Sequence, residues 1–219
     1  MDWVNKHLQI EPINTFIDPI FPVENAIITH AHADHAKPGH KNVLATKHTI
    51  KIMKIRYGEN CANNFQELSF NSPLNINGVR VTFFPAGHIL GSAQVLLEYQ
   101  KDKINFTGDF KITKDDTCES FRPVTCDTLV TEATFGLPIF QHPDPEVEIN
   151  KLIDSLKTFS NRPHLIGVYA LGKAQRLIKL LRNKGYDETI FIHGALEKIC
   201  DYYIQSGINL GNLSKALIK

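Results

Sequence analysis

Six consecutive residues, His30-Ala31-His32-Ala33-Asp34-His35, hold three imidazoles and a carboxylate directly after the apolar run Ala26-Ile27-Ile28-Thr29. A short apolar run that stops in a polar cluster reads as a buried strand delivering its end to a site. In an extended segment alternate side chains point the same way, so His30 and His32 can grip one ion. If the backbone then turns into a helix, Asp34 and His35 leave that pair and can face a second ion. Imidazole nitrogen with carboxylate oxygen suits zinc, with manganese or iron as less selective alternatives.

Two later residues complete the donor set. His88 lies in Phe84-Pro85-Ala86-Gly87-His88-Ile89-Leu90-Gly91-Ser92, just past a strand, where glycines let the backbone approach another group closely. Asp109 ends Phe106-Thr107-Gly108-Asp109, again at a strand end, where a carboxylate can bridge two ions. A site fed by several loops is assembled at such strand ends, so both are read as ligands.

These groups must be positioned by short strands with few helices. Asn42–Ala45 reads as a strand, and Thr46 caps a helix through Tyr57, with Ile50, Met53 and Tyr57 at helical spacing and Gly58 ending it. Asn77-Gly78 is a hairpin signal ahead of the alternating strand Val79–Phe84. Gln94–Tyr99, Lys103–Thr107 and Asp127–Glu132 read as further strands, and the succession fits an α+β sandwich. After the Pro-rich stretch Leu137–Pro145 the texture changes to helix Pro145–Phe159, strand Leu165–Tyr169, helix Lys173–Lys184, strand Thr189–Ile192 and helix Leu196–Ser206. Alternation of this kind predicts a parallel sheet, with a domain boundary near residue 140 separating 1–140 from 141–219.

Composition narrows the classes without choosing among them. A chain of 219 residues can bury a sizeable core, and 42 % hydrophobic residues excludes a disordered protein. No apolar run is long enough for a spanning helix, and Met1–Asn14 does not read as a signal peptide. A net charge of +1 means that a nucleic acid would be met by local patches. Cys61, Cys118, Cys126 and Cys200 have neither metal spacing nor the density of a disulfide framework, so free thiols and a reducing cytoplasm are the expectation.

The three ligand segments resemble the successive motifs of metallo-β-lactamase-fold hydrolases. Val130-Thr131-Glu132-Ala133-Thr134-Phe135-Gly136 resembles the acidic motif opening the nucleic-acid-processing β-CASP branch, and Tyr169-Ala170-Leu171-Gly172-Lys173-Ala174-Gln175-Arg176 resembles part of its inserted domain. Longer stretches, at Ile17–Pro19, Pro85–Gln94, Cys126–Phe140 and Ile192–Ile199, are similar to the bacterial ligase-associated DNA exonucleases, also labelled mRNA 3′-end processing factors. The resemblance implies a metallo-β-lactamase-type sandwich, incomplete here, followed by a β-CASP-like α/β insertion. It implies two divalent ions, zinc foremost and manganese second, with His30, His32 and His88 on one, Asp34 and His35 on the other, and Asp109 bridging. It places Asp34, Asp109 and Glu132 among the acidic groups of catalysis. Glu132 would also support the ligands by hydrogen bonding from behind, and Asp18 either does the same or is a turn residue before Pro19. The family pattern carries further histidines beyond the inserted domain, and the chain stops at Lys219, so a shortened chain is expected. His193 then reads as a structural or substrate-side residue.

The implied activity is hydrolysis of phosphodiester bonds in DNA or RNA, DNA foremost, with a functional link to a DNA ligase. The implied chemistry is a water activated between two ions. On the helix Lys173–Lys184, Ala174, Leu177, Ile178 and Leu181 form the core face, while Lys173, Arg176, Lys179 and Arg182 share a basic flank. Gly172 frees amides for a phosphate, so Gly172, Lys173 and Arg176 are candidate substrate contacts. An ordinary solvated face is the alternative. A small-molecule hydrolase of the same fold and an inactive binding protein are the competing classes.

Overall fold

The computed structural model describes residues 3–216. Two compact units divide the chain, Met1–Glu132 and Ala133–Lys219.

The first unit packs two five-stranded sheets face to face. One runs in the order β1 (Gln9–Ile10), β2 (Thr15–Ile17), β3 (Asn25–Ile27), β4 (His40–Ala45) and β5 (Ala62–Glu67). Only β1 pairs antiparallel; the other neighbours are parallel. The second sheet has the order β10 (Thr128–Val130), β9 (Asp102–Phe106), β8 (Ala93–Tyr99), β7 (Val79–Pro85) and β6 (Leu74–Ile76). It is an antiparallel meander with β10 added parallel to β9.

Period-two alternation decides which side chains meet between the sheets. Ile17, Ile27 and Leu44 from one and Val81, Phe83, Val95, Leu97, Ile104 and Phe106 from the other form a continuous buried core. The opposite phase of the first sheet, Ala26, Ile28, Val43 and Ala45, is covered by helix α1 (Lys47–Tyr57) through Ile50 and Met53. That helix starts where the sequence indicates: Thr46 accepts from the Thr49 amide, and Gly58 follows its last turn.

Register in the parallel sheet is pinned by an amide row. Asn25, Asn42 and Asn64 are cross-strand partners on β3, β4 and β5. Asn64 Nδ2 donates to Asn42 Oδ1 and Asn42 Nδ2 to Asn25 Oδ1, both at 2.9 Å, and Asn25 Nδ2 ends the row on the Asn14 carbonyl.

The second unit contains α2 (Pro145–Thr158), α3 (Lys173–Asn183), β11 (Ile190–Ile192), α4 (Gly194–Gln205) and β12 (Leu213–Lys215). Asp144 caps α2 by accepting from the Glu146 amide at 2.8 Å. The expected parallel sheet is present as the pair β11 and β12. The expected strand Leu165–Tyr169 is not: no residue there is in a strand, and Leu165 is 97 % exposed. A strand requires a partner for its amides, and β11 takes β12 instead, while Gly167 weakens the extended preference of the segment. Among the described residues, no helix is long and apolar enough to cross a membrane.

Candidate metal centre

The strands of the first unit deliver their ends to one place. Past β3, Thr29 is locked by Asp18, whose carboxylate accepts from the Thr29 amide at 2.7 Å and its hydroxyl at 2.5 Å. The chain then runs on outside any strand through His30 and His32. It next turns once, with the His35 and Ala36 amides donating to the His32 carbonyl at 3.2 and 2.8 Å. This turn brings His35 back toward His30 and sends Asp34 outward.

His88 enters from the turn after β7, where Ser92 Oγ accepts from its amide at 3.0 Å. Gly87 has φ +71°, and a Cβ there would collide with the Lys111 carbonyl. Asp109 enters after β9 behind Gly108, whose φ is +53° and whose missing side chain makes room for Thr29.

Three imidazoles converge. His30 Nε2 and His88 Nε2 each stand 3.1 Å from His32 Nδ1. The rings are nearly perpendicular to one another, at 87°, 88° and 76°. Two nitrogens held at ~2.0–2.1 Å by one tetrahedral ion lie roughly 3.3 Å apart, so this spacing fits a divalent ion. Asp109 adds Oδ2 at 3.8 Å from His30 Nε2 and 3.6 Å from His88 Nε2. His30, His32, His88 and Asp109 thus offer four ligand atoms within 4.8 Å of one another.

A second group lies alongside. Asp18, His30 and His35 also offer atoms within 4.8 Å. Asp18 Oδ2 is 2.8 Å from His35 Nδ1, which turns His35 Nε2 to within 3.3 Å of Asp109 Oδ1. Asp109 therefore stands between the two groups, one oxygen toward each. Asp34 stands at the solvent side of this group: its side chain is 80 % exposed, with Oδ2 3.8 Å from His35 Nε2. Glu132, past β10, is near enough for its charge to act on His88.

Protonation separates the two groups. Burial, then His35, His32 and His88, push His30 well below its ordinary value. Burial and then His32 bring His88 down to about 4 against the opposing charge of Asp109. Both rings are neutral near pH 7, the form that binds cations. Burial also works against charge on His35, but hydrogen bonds to Asp109 and Asp18 outweigh it and raise its pKa to about 10. The same contact from His35 holds the Asp109 carboxyl below the usual carboxylate range.

Residues 2–153 match the family described as a beta-lactamase superfamily domain. The chain belongs to the metallo-β-lactamase superfamily. A probable DNA ligase of Opitutus terrae is 29 % identical over 209 residues, 92 % of this chain and 20 % of the ligase. Endoribonuclease ysh1 of Aspergillus fumigatus is 36 % identical over 144 residues, 64 % of this chain and 16 % of the relative. Cleavage and polyadenylation specificity factor subunit 3 of Dictyostelium discoideum is 31 % identical over 173 residues, covering 74 % of this chain and 20 % of that protein. The chain thus spans 16–20 % of the length of these curated relatives. The cleavage-type relatives belong to the β-CASP branch of the superfamily, the branch implied by Val130–Gly136.

Strand ends of the first unit bring His30, His32, His35, His88 and Asp109 together although they are scattered from position 30 to position 109. Thr29 was not singled out by its residue type, yet it links Asp18 to His30, its hydroxyl lying 3.1 Å from His30 Nδ1. Its place between the apolar run and the first histidine was the available signal.

The candidate substrate contacts lie in the second unit. Lys173 begins α3 with Nζ 5.3 Å from the Tyr169 ring, and Arg176 follows one turn later. Gly172 does not leave its own amide open; that N–H donates to Gln175 Oε1 at 2.8 Å. Arg182 does not belong to a basic flank. Its guanidinium is spent on the carbonyls of Tyr186, Glu188, Leu210 and Asn212, because the chain after α3 and after α4 needs acceptors satisfied there. His193 caps α4, accepting from the Ala195 amide at 3.1 Å.

Proposed function

We propose that this chain is the metal-holding part of a nuclease that hydrolyses phosphodiester bonds of nucleic acid. In this reading residues 1–140 form the metal-binding domain and 141–219 belong to the β-CASP-like insertion. The observation that carries it is the meeting of three imidazoles and Asp109 within 4.8 Å. His30, His32, His88 and Asp109 would hold the first ion, and His35 with Asp109 and the more exposed Asp34 would hold the second. The nitrogen-rich first set favours zinc, with manganese as the alternative. Divalent ions held there acidify a water molecule and offset the charge that builds on phosphoryl oxygens.

The chain's own groups prepare that chemistry. Asp18 accepts from His35 Nδ1, which orients the ring and aims Nε2 at Asp109. Burial keeps His30 and His88 free of protons that would exclude a cation. Glu132 adds negative charge beside His88, favouring cation retention. In the second unit, Lys173 and Arg176 are the candidate phosphate contacts.

DNA is the favoured substrate. The ligase relative aligns with 92 % of the chain, against 64–83 % for the endoribonuclease and cleavage-factor relatives. A DNA ligase is accordingly the favoured functional associate. Cys61, Cys126 and Cys200 stand as free thiols, which supports a reducing, cytoplasmic setting. The test is elemental analysis of the purified protein together with hydrolysis of end-labelled single- and double-stranded DNA and RNA. Metal-dependent shortening of DNA is expected. A protein that carries divalent metal but cuts neither polymer, while cleaving a thioester or lactone, would replace this reading with the small-molecule one.

A further inference from the structure

Arg56 is the last basic residue of α1, exposed to solvent and remote in sequence from every candidate ligand. Its Nη1 nevertheless donates to the carbonyl of Ala31 at 2.6 Å, across 25 positions of sequence. Ala31 is fully buried between His30 and His32. Its carbonyl belongs to the peptide plane that leads directly into His32, and a peptide is rigid about that bond. Fixing the carbonyl therefore fixes the direction in which the His32 side chain leaves the backbone. His32 is the ring on which the others converge, with 3.1 Å to both His30 and His88.

We infer that Arg56 is a positioning residue of the metal centre, acting on His32 through the Ala31 carbonyl; this rests on the metal-binding reading above. The helix is a suitable anchor, since Ile50, Ile52 and Met53 bury it and hold its last turn in place. The interaction suits arginine. A charged donor gives a stronger bond to a neutral carbonyl than an uncharged one, and the planar guanidinium presents its N–H groups in a fixed fork. The next carbonyl, that of His32, is held from within the turn by the His35 and Ala36 amides. Without Arg56 this segment keeps its ends but gains freedom between them. The cost falls on the geometry of His32 and leaves the presence of the ligands unchanged.

Cobalt(II) is a suitable probe because its visible absorption reports the symmetry of its ligands. The full chain, its Arg56→Met variant and its Arg56→Lys variant are titrated with cobalt(II), recording affinity and spectrum, with thermal melting of each metal-free protein. Methionine keeps the aliphatic stem and removes every donor, so lost packing is separated from the lost hydrogen bond. Arg56→Met is expected to bind cobalt about 10-fold more weakly with an altered band pattern, while melting with the parent. Arg56→Lys, which keeps a charged donor, should recover most of the affinity and the parent spectrum. Equal affinity and an unchanged spectrum in Arg56→Met would overturn the positioning role while leaving the metal centre standing. Absence of cobalt uptake by the parent chain would remove the metal centre, and the role of Arg56 with it.

Discussion

At the residue scale the centre is divided by where its protons sit. His30 and His88 are held neutral by burial, whereas His35 is held charged between Asp18 and Asp109 with a pKa of about 10. In the metal-free protein the raised value contributes stability that is fully present below about 6.5 and lost as pH rises through about 10. A cation at His35 must expel that proton, so its affinity should rise about tenfold per pH unit across this window. Calorimetry in buffers of different ionisation enthalpy checks this: the second equivalent of zinc should release about one more proton than the first at pH 7.5. Equal release by both equivalents would mean that His35 is not where the second ion binds. Asp109 is the other residue on which both groups depend. Asp109→Asn keeps the shape but removes the charge between them, and nuclease activity should fall roughly 100-fold or more with the melting temperature little changed. Activity within a few-fold of the parent would reduce Asp109 to a turn residue. His30, His32 and His35 were legible from spacing, and His88 from its place past a strand between glycines. Asp18 stayed open between support and turn residue, because the single turn after His32 that brings His35 against it has no distinctive residue pattern.

At the element scale the clearest titration outside the centre is that of His40, at the start of β4. It is completely buried; Nδ1 accepts from the Val23 amide at 3.2 Å and Nε2 has no hydrogen-bond partner among the described residues. Burial lowers its pKa below 6.5. Its contribution to stability is therefore present above the unfolded value of about 6.5 and is lost as pH falls below it. Asn at this position keeps an acceptor near Nδ1 and cannot titrate. Denaturant melts at pH 7.5 and 5.5 should show a smaller acid loss for His40→Asn than for the parent, and an equal loss would place the acid sensitivity elsewhere. Helices were more readable than strands. Thr46, Asp144 and Gly58 mark helix ends by their own hydrogen-bonding chemistry, so α1 and α2 fall within a residue of expectation. Leu165–Tyr169 has the composition of a strand but no partner, and pairing is a property of the fold that no local window contains. The parallel order of β2 to β5 was hidden for the same reason, since segments so short are equally compatible with either direction.

At the scale of the whole molecule, a net charge of +1 gives no general attraction to a polyanion, so any nucleic-acid affinity must come from local groups. Lys173 and Arg176 are the proposed ones. The Lys173→Ala, Arg176→Ala double variant should bind single-stranded DNA more weakly and with a log–log salt slope shallower by roughly 0.7 per lost contact, while keeping its metal. Unchanged affinity and slope would make them ordinary solvated surface. The amide row Asn64–Asn42–Asn25 carries a consequence for how damage to the parallel sheet adds up. Asn42 takes part in two of its bonds and Asn64 in one, and they share that one. With about 1 kcal/mol per bond, Asn42→Ala should cost about 2 kcal/mol and Asn64→Ala about 1. The double variant should then cost no more than Asn42→Ala alone, because the shared bond can be lost only once. Such a row fails as a unit from its middle and merely shortens from its end.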